Sequence, residues 1–284
     1  MRTLIVGDVH IDEKCIGEVD TIFKEICSYE ADRVVLLGDF YDKKKLTPKE
    51  LYFGTMLIKD MIDKYKQVYI IKGNHDKETL EYLLALGAYV VESLILDEVY
   101  YGHFFVHNSV KAFNSASVEL EPLVEKYKYV ILGHQHLPQV LEPNKACHLG
   151  SIRYVDFGEV EDKFKQIAII DNEEITFHPL KTPIKMIDVY DIKDLDSVPE
   201  NTKVRLIVQD FNALKGIVDE VAKFKDKFYE FKLKLDFKKE KRTESSPAPI
   251  TTMKEHIGEW IRSIGDQDVK DLLIYAFKEL EYVY

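Results

Sequence analysis

Apolar residues fall along the chain in short, unbroken runs. Leu4-Ile5-Val6, Val34-Val35-Leu36-Leu37, Val68-Tyr69-Ile70-Ile71, Phe104-Phe105-Val106 and Val130-Ile131-Leu132 each give way to a polar motif within a few positions. Runs with no polar alternate predict strands buried on both faces. Between them the apolar period lengthens to that of a helix. Ile22, Phe23, Ile26 and Cys27 share a face within 19–29. Leu51, Ile58, Met61, Ile62 and Tyr65 do so in a segment opened by Thr47-Pro48-Lys49-Glu50. There Thr47 suits the N-cap, Pro48 the first turn and Glu50 the third helical position. A second helix is predicted from about Lys77 to a C-cap at Gly87. Further strands are expected at Ala88 to Leu96, Val99 to His107, Tyr129 to Leu132 and Gln166 to Asp171. Residues 1–180 therefore read as a layered α/β domain. Hairpin-like runs late in it favour a two-sheet sandwich flanked by helices.

The pattern changes over residues 181–240, which read as a small α+β unit. Strands are expected at Ile184 to Val189 and Val204 to Val208, and a helix at Leu214 to Phe224. Tyr229, Phe231, Leu233, Leu235 and Phe237 then alternate with Glu230, Lys232, Lys234, Asp236 and Lys238. That period of two marks a strand with one buried and one charged face. Residues 241–252, with their Ser and Pro, read as a linker, and 253–284 as a helical tail. Its apolar stripes hold Trp260, Ile261 and Ile264, then Leu272, Leu273, Ala276, Phe277 and Leu280. A short helical pair cannot bury both faces alone, so it either packs back on the body or docks on a partner.

Charge narrows the function. A net −11 argues against a protein that grips nucleic acid by bulk charge. Residues 223–242 run the other way, with nine Lys or Arg against four Asp or Glu. Cys15, Cys27 and Cys147 are odd in number and lack Cys-x-x-Cys spacing. They read as reduced thiols of a cytoplasmic protein, and a thiolate zinc site is excluded. The opening Met1 to Asp8 is too short and too soon acidic for a signal peptide, and no apolar run approaches a membrane span.

The polar ends of the runs carry the chemistry. They are Asp8-Val9-His10, Gly38-Asp39-Phe40-Tyr41-Asp42, Gly73-Asn74-His75-Asp76, His107-Asn108 and Gly133-His134-Gln135-His136. One His after a strand is ordinarily a satisfied loop residue. Five such ends together suit ligands gathered at the carboxyl edge of a sheet. Carboxylate, imidazole and one amide oxygen match Mn²⁺, Fe²⁺ or Zn²⁺. Seven candidate side chains exceed one open metal and suit two metals sharing a carboxylate, the arrangement that clamps both oxygens of a phosphoryl displacement.

This motif set resembles the calcineurin-like metallophosphoesterases, over roughly the first 180 residues. The resemblance implies that Asp8, His10 and His136 hold one metal and Asn74, His107 and His134 the other, with Asp39 bridging. It implies that His75 stabilises the transition state or protonates the leaving oxygen, and that Asp42 orients it. His103, His148, His178 and His256 match no motif position and read as structural. Leu149-Gly150-Ser151 followed by Asp156-Phe157-Gly158-Glu159 resembles the SbcD-type nucleases of DNA double-strand-break repair and recombination, whose relatives are the Mre-type meiotic nucleases. That branch implies a Mn²⁺-dependent exonuclease or endonuclease with two divalent ions. It implies a capping domain at 181–240 and a tail docking an SMC-like ATPase of the SbcC type. It also implies a homodimer through Leu51, Met56, Leu80 and Leu83. DNA contacts are expected from Lys43, Lys44, Lys45, Lys232 and Lys234. The alternative is a small-molecule phosphodiesterase or phosphatase on the same core, which the acidic charge favours.

Overall fold

The computed structural model describes residues 1–76, 80–107, 109, 118–236 and 250–281. They form two compact units, Met1–Pro183 and Ile184–Tyr284. In chain order the first unit contains β1 (Thr3–Val6), α1 (Ile16–Ile26), β2 (Arg33–Leu36), α2 (Pro48–Lys64), β3 (Gln67–Ile71), β4 (Tyr89–Val91), β5 (Leu94–Leu96) and β6 (Val99–Gly102). It continues with α3 (Glu121–Lys126), β7 (Tyr129–Leu132), β8 (Gln139–Glu142), β9 (Ala146–His148), β10 (Gln166–Asp171) and β11 (Glu174–Pro179).

These strands make two sheets, ordered β11-β10-β1-β2-β3-β4 and β5-β6-β7-β9-β8. Within the first, β1 to β4 are parallel, and β10 runs antiparallel to β1. Within the second, β6, β7 and β9 are parallel. The unbroken apolar runs are explained by layers on both faces. Leu4, Val6, Val34, Leu36 and Ile70 pack with Ile22 and Ile26 of α1 and Ile58 and Met61 of α2. Their alternates Ile5, Val35, Ile71 and Ala168 pack with Tyr101, Ile131 and Cys147 of the second sheet. The outer face of that sheet, through Val130 and Leu132, packs with Val124 of α3. The result is a two-sheet sandwich with helices outside, at about 1.5–3 kcal/mol of burial per large aliphatic side chain.

The start of α2 is closed by a capping box. Thr47 Oγ1 accepts from the Glu50 N–H at 3.2 Å, and Glu50 Oε2 accepts from the Thr47 N–H at 2.7 Å. Gly87 ends a short 3-10 turn, Glu81–Leu86, in a left-handed conformation with φ of +101°. The start expected near Lys77 lies outside the described residues. Three expectations need correction. The run Ala88 to Leu96 is not one strand, because Glu92 and Ser93 turn the chain from β4 in the first sheet to β5 in the second. The strand from Val99 stops at Gly102, where its pairing with β7 ends, rather than reaching His107. Leu80 and Leu83, offered as dimer contacts, are fully buried in the core with Tyr41 and Ile58 and are unavailable to a partner, whereas Leu51 and Met56 are exposed.

The second unit holds β12 (Met186–Val189), β13 (Lys203–Val208), α4 (Phe211–Phe224), β14 (Glu230–Leu235), α5 (Ile250–Ser263) and α6 (Gln267–Glu281). Its three strands are parallel in the order β12-β13-β14. Phe231, Leu233 and Leu235 face a core shared with Leu214 and Val221 of α4. Tyr229 is exposed, since β14 begins only at Glu230. Ile261 of α5 and Val269, Leu273 and Ala276 of α6 join the same core, so the tail helices pack on this unit. Asn108, Phe237, Lys238 and the expected linker up to residue 249 lie outside the described residues, as do the side chains of His256 and Leu280, while Ile250 to Thr252 belong to α5. No helix among the described residues is long and apolar enough to cross a membrane.

Candidate metal centre

The parallel strands β1, β2 and β3 and the parallel strands β6 and β7 deliver their carboxyl ends to one place. Asp8 and His10 follow β1, Asp39 follows β2, Asn74 and His75 follow β3, His103 follows β6, and His134 and His136 follow β7. Metal-ligand atoms of Asp8, His10 and His136 lie within 4.8 Å of one another, as do those of Asp39, His103 and His134, and those of His10, Asp39 and His75. Asp39 belongs to two of these groups. Its Oδ2 is 3.7 Å from His10 Nε2 and 3.2 Å from His103 Nε2. A carboxylate so placed is within reach of both sets of imidazoles.

The backbone is bent to achieve this. His10, Asp39 and His134 have φ of 52°, 44° and 76°, in the left-handed region. Such residues cost about 1–3 kcal/mol each and persist only where neighbours hold them. Here His10 N–H donates to Asp39 O at 2.8 Å, and Arg153 donates to Val9 O at 3.2 Å and to His10 O at 2.7 Å. The Asp8 carboxylate accepts the His134 N–H at 3.0 Å. Gly73 is obligatory, since a Cβ there would lie 2.0 Å from Asp39 Oδ1. Asp76, fully buried, accepts from the N–H groups of Phe40, Tyr41 and Gly73, tying the turn after β2 to the turn after β3.

The imidazoles are aimed by their Nδ1 atoms. His10 Nδ1 meets Asp42 Oδ1 at 3.1 Å, His136 Nδ1 meets Glu159 Oε1 at 3.0 Å, and His103 Nδ1 meets Leu37 O at 2.7 Å. Carboxylate and carbonyl oxygens only accept, so each Nδ1 carries the proton and each Nε2 is left to face the centre. His10 Nε2 is buried with no hydrogen-bond partner. An orphaned imidazole nitrogen beside two buried carboxylates is what a metal ligand leaves when considered without its ion, so the residues fit a divalent metal of the borderline class. His103 is pushed down by burial, but Asp8 and Asp39 outweigh this and raise it to about 9. His134 is lowered to about 4 by burial and by the His103 charge. Burial raises the Asp39 pKa, but His103 and His10 outweigh it and hold the carboxyl well below the usual range.

Asn74 joins the centre, its Oδ1 3.2 Å from His103 Nε2. His75 also joins it, its ring 5.1 Å from that of His10. Asp42 acts on His75 through its main chain, whose O meets His75 Nδ1 at 2.5 Å, while its carboxylate goes to His10. His107, implied as a ligand, belongs to none of these groups among the described residues: it is exposed and its Nε2 pairs with Glu119 at 2.9 Å. Because β6 ends at Gly102, His103 is the residue at the strand terminus, and Phe104 to Val106 carry His107 away. The signal was present in the sequence, as Gly102-His103 repeats the Gly133-His134 that follows β7. His148 is buried and satisfied, between Gly133 O at 2.9 Å and Ser109 Oγ at 2.7 Å. His178 pairs with Thr176 Oγ1 at 2.9 Å, away from the centre.

The lysines proposed for DNA divide. Lys43 is engaged by Asp12 at 3.1 Å and Glu50 at 2.8 Å. Lys44 and Lys45 are exposed just beyond Asp42. Lys232 and Lys234 are half-buried on β14 of the second unit, with Lys232 paired to Glu230 at 3.0 Å.

Comparison with known proteins adds a family. The SbcD component of the nuclease SbcCD from Staphylococcus saprophyticus is 27% identical over 125 residues, which cover 39% of this chain and 33% of that protein. The match thus spans about a third of the relative's length. A single mutant of Vps29 from Entamoeba histolytica superposes at a TM-score of 0.40 with 14% identity, over 63% of this chain and 98% of that one. The Pseudomonas putida nuclease MPE superposes at 0.33 with 20% identity, over 49% of this chain and 64% of that one. The calcineurin-like phosphoesterase superfamily domain matches residues 1–174, and the chain belongs to that superfamily.

Proposed function

We propose that the protein is a two-metal phosphodiesterase whose substrate is DNA. Membership in the superfamily implies a metal-dependent hydrolase. The observation that carries the reading is the convergence of two ligand groups on Asp39, with the Nε2 atoms of His10 and His103 turned toward it. Asp8, His10 and His136 would hold one ion, and His103, His134 and Asn74 the other. Bound there, two divalent ions supply charge stabilisation for the attacking and leaving oxygens of an in-line displacement. The protein's own contribution is orientation and proton transfer. With Nδ1–H donated to Asp42 O, His75 in its imidazolium form presents Nε2–H to the leaving oxygen as the proton donor and is left as neutral imidazole. Lys44 and Lys45 offer positive charge for a phosphate backbone beside the centre.

The DNA substrate is supported by the similarity to the SbcD component over the matched stretch. By the same likeness we infer Mn²⁺ as the working ion, action as a homodimer, and an SbcC-type ATPase partner. The engagement of Lys43 by two carboxylates, with a net charge of −11, favours a second reading: a phosphodiesterase or phosphatase of small molecules. The test is cleavage of end-labelled linear duplex DNA with added Mn²⁺, beside a chromogenic phosphodiester. Degradation of DNA by wild type, lost in His75→Ala while metal uptake persists, is expected. Turnover of the chromogenic ester alone, with and without the ATPase partner, would replace the nuclease by the small-molecule enzyme.

A further inference from the structure

Behind the first ligand group lies an ion pair shut away from solvent. Glu159 and Lys165 both have fully buried side chains, and Lys165 Nζ is 2.5 Å from Glu159 Oε2. Every direction open to the Glu159 carboxylate is taken. Oε1 accepts from His136 Nδ1 at 3.0 Å and from the N–H groups of Val155 and Asp156 at 3.2 and 3.1 Å. Oε2 accepts from Ser151 Oγ at 3.2 Å as well as from Lys165. Lys165 in turn donates to Ser151 Oγ at 3.1 Å and to His136 O at 3.2 Å, and pairs with Asp162 at 2.9 Å. His136 is therefore gripped twice, by its ring through Glu159 and by its main chain through Lys165.

We propose that Glu159, locked by Lys165, is a positioning residue for His136 and sets the metal affinity of the Asp8–His10–His136 group. The inference rests on the metal-centre reading above. A buried ion pair is a weak source of stability, often replaceable by apolar residues at no cost. A carboxylate on the far nitrogen of a ligand imidazole does something specific. It fixes the tautomer, aims Nε2 and raises the basicity of the ring. His103, in the other group, meets the carbonyl of Leu37 at 2.7 Å in that position, with the Asp8 carboxylate farther off at 3.7 Å, so the Glu159 contact bears on one group. The spacing of His136, Asp156 and Glu159 would also admit a cation. Lys165 already supplies that cation, and Asp156 Oδ2 stands 3.9 Å off, with its side chain 55% exposed.

The experiment is a Mn²⁺ titration of the metal-stripped full chain, with free Mn²⁺ read by electron paramagnetic resonance and unfolding followed in chelator. Wild type is expected to show two sites. Glu159→Gln is expected to weaken one of them by about 10–100-fold and to leave the other unchanged. Should the substituted amide beside an unpaired Lys165 prevent folding, the double variant Glu159→Gln/Lys165→Met removes both charges together and carries the same expectation. A folded variant that binds both ions with wild-type affinity overturns the positioning role while the metal reading stands. Equal weakening of both sites overturns it too, since that is what general loosening of the fold produces. Wild type that takes up no Mn²⁺ overturns both readings at once.

Discussion

A methyl group added at Gly73 puts the shared carboxylate to the test. Its Cβ would lie 2.0 Å from Asp39 Oδ1 and 2.2 Å from Asp39 N, where ordinary contact begins at 3.4 Å. The two turns must then part by 3.4 − 2.0 = 1.4 Å at the carboxylate and 3.4 − 2.2 = 1.2 Å at the main chain. Any such movement lengthens the bond from His75 N–H to Asp39 Oδ1, now 2.9 Å, and withdraws Asp39 from both ligand groups. Overpacking of this kind costs about 1–3 kcal/mol. A displacement near 1 Å at reacting groups costs about 100-fold in turnover. Gly17, inside α1, provides the control, because a Cβ there meets nothing within 4 Å. Gly17→Ala should gain about 0.5–1 kcal/mol from reduced backbone freedom. Urea melts of the metal-stripped proteins, followed by Mn²⁺ titration, compare the two. Gly73→Ala as stable as wild type and binding both ions with unchanged affinity would refute the reasoning.

Three further outcomes are expected. His103→Ala should lose one of two bound ions and His107→Ala neither, as counted by metal analysis after dialysis; the reverse result would restore His107 as a ligand. Burial lowers the His148 imidazole from 6.5 to about 4, so the unfolded chain takes up its proton first as pH falls. Stability from this residue is full above about 6.5 and drains away toward about 4, some two and a half pH units at about 1.36 kcal/mol each, or about 3 kcal/mol. The gap in urea stability between wild type and His148→Gln should shrink by that amount between pH 7 and 4, and a constant gap would contradict it. Thr47→Ala removes the acceptor that caps α2 and should cost about 1 kcal/mol, read as a shift in urea midpoint at constant slope.

The core was legible because burial on both faces leaves a plain mark. Leu4 to Val6 and Val34 to Leu37 are apolar throughout, and the structure gives each alternate residue its own layer. Asp8, His10, Asp39, Asn74 and His134 were legible for a related reason: each stands a few residues past such a run. Hydropathy misleads where an apolar run continues past the end of pairing. Phe104-Phe105-Val106 looks like strand, yet β6 stops at Gly102 because β7 offers no partner beyond Leu132. Strand ends are set by the neighbour as much as by the strand. Ala88 to Leu96 misled in the same way, since a change of sheet at Glu92 and Ser93 leaves no mark in hydropathy. Glu159 and Lys165 stayed hidden because a charged residue is ordinarily solvated. Only the fold shows that this pair meets in the interior, 29 residues after His136 in the case of Lys165.

The antiparallel pairing of β1 with β10 joins Thr3 to Ile170. During synthesis β1 leaves the ribosome more than 160 residues before its β10 neighbour. At about 5–20 residues per second that interval lasts roughly 8–30 s. Until it ends, one side of the central strand is an open edge, and for most of it Asp8 and His10 wait without His134 and His136. A nascent chain in that interval carries an unpaired apolar strand, and before residue 136 an incomplete set of candidate ligands as well. Ribosome stalling anywhere before Gln166 would therefore yield a product prone to association through that edge, and chaperone capture of the nascent chain should be heaviest in that window.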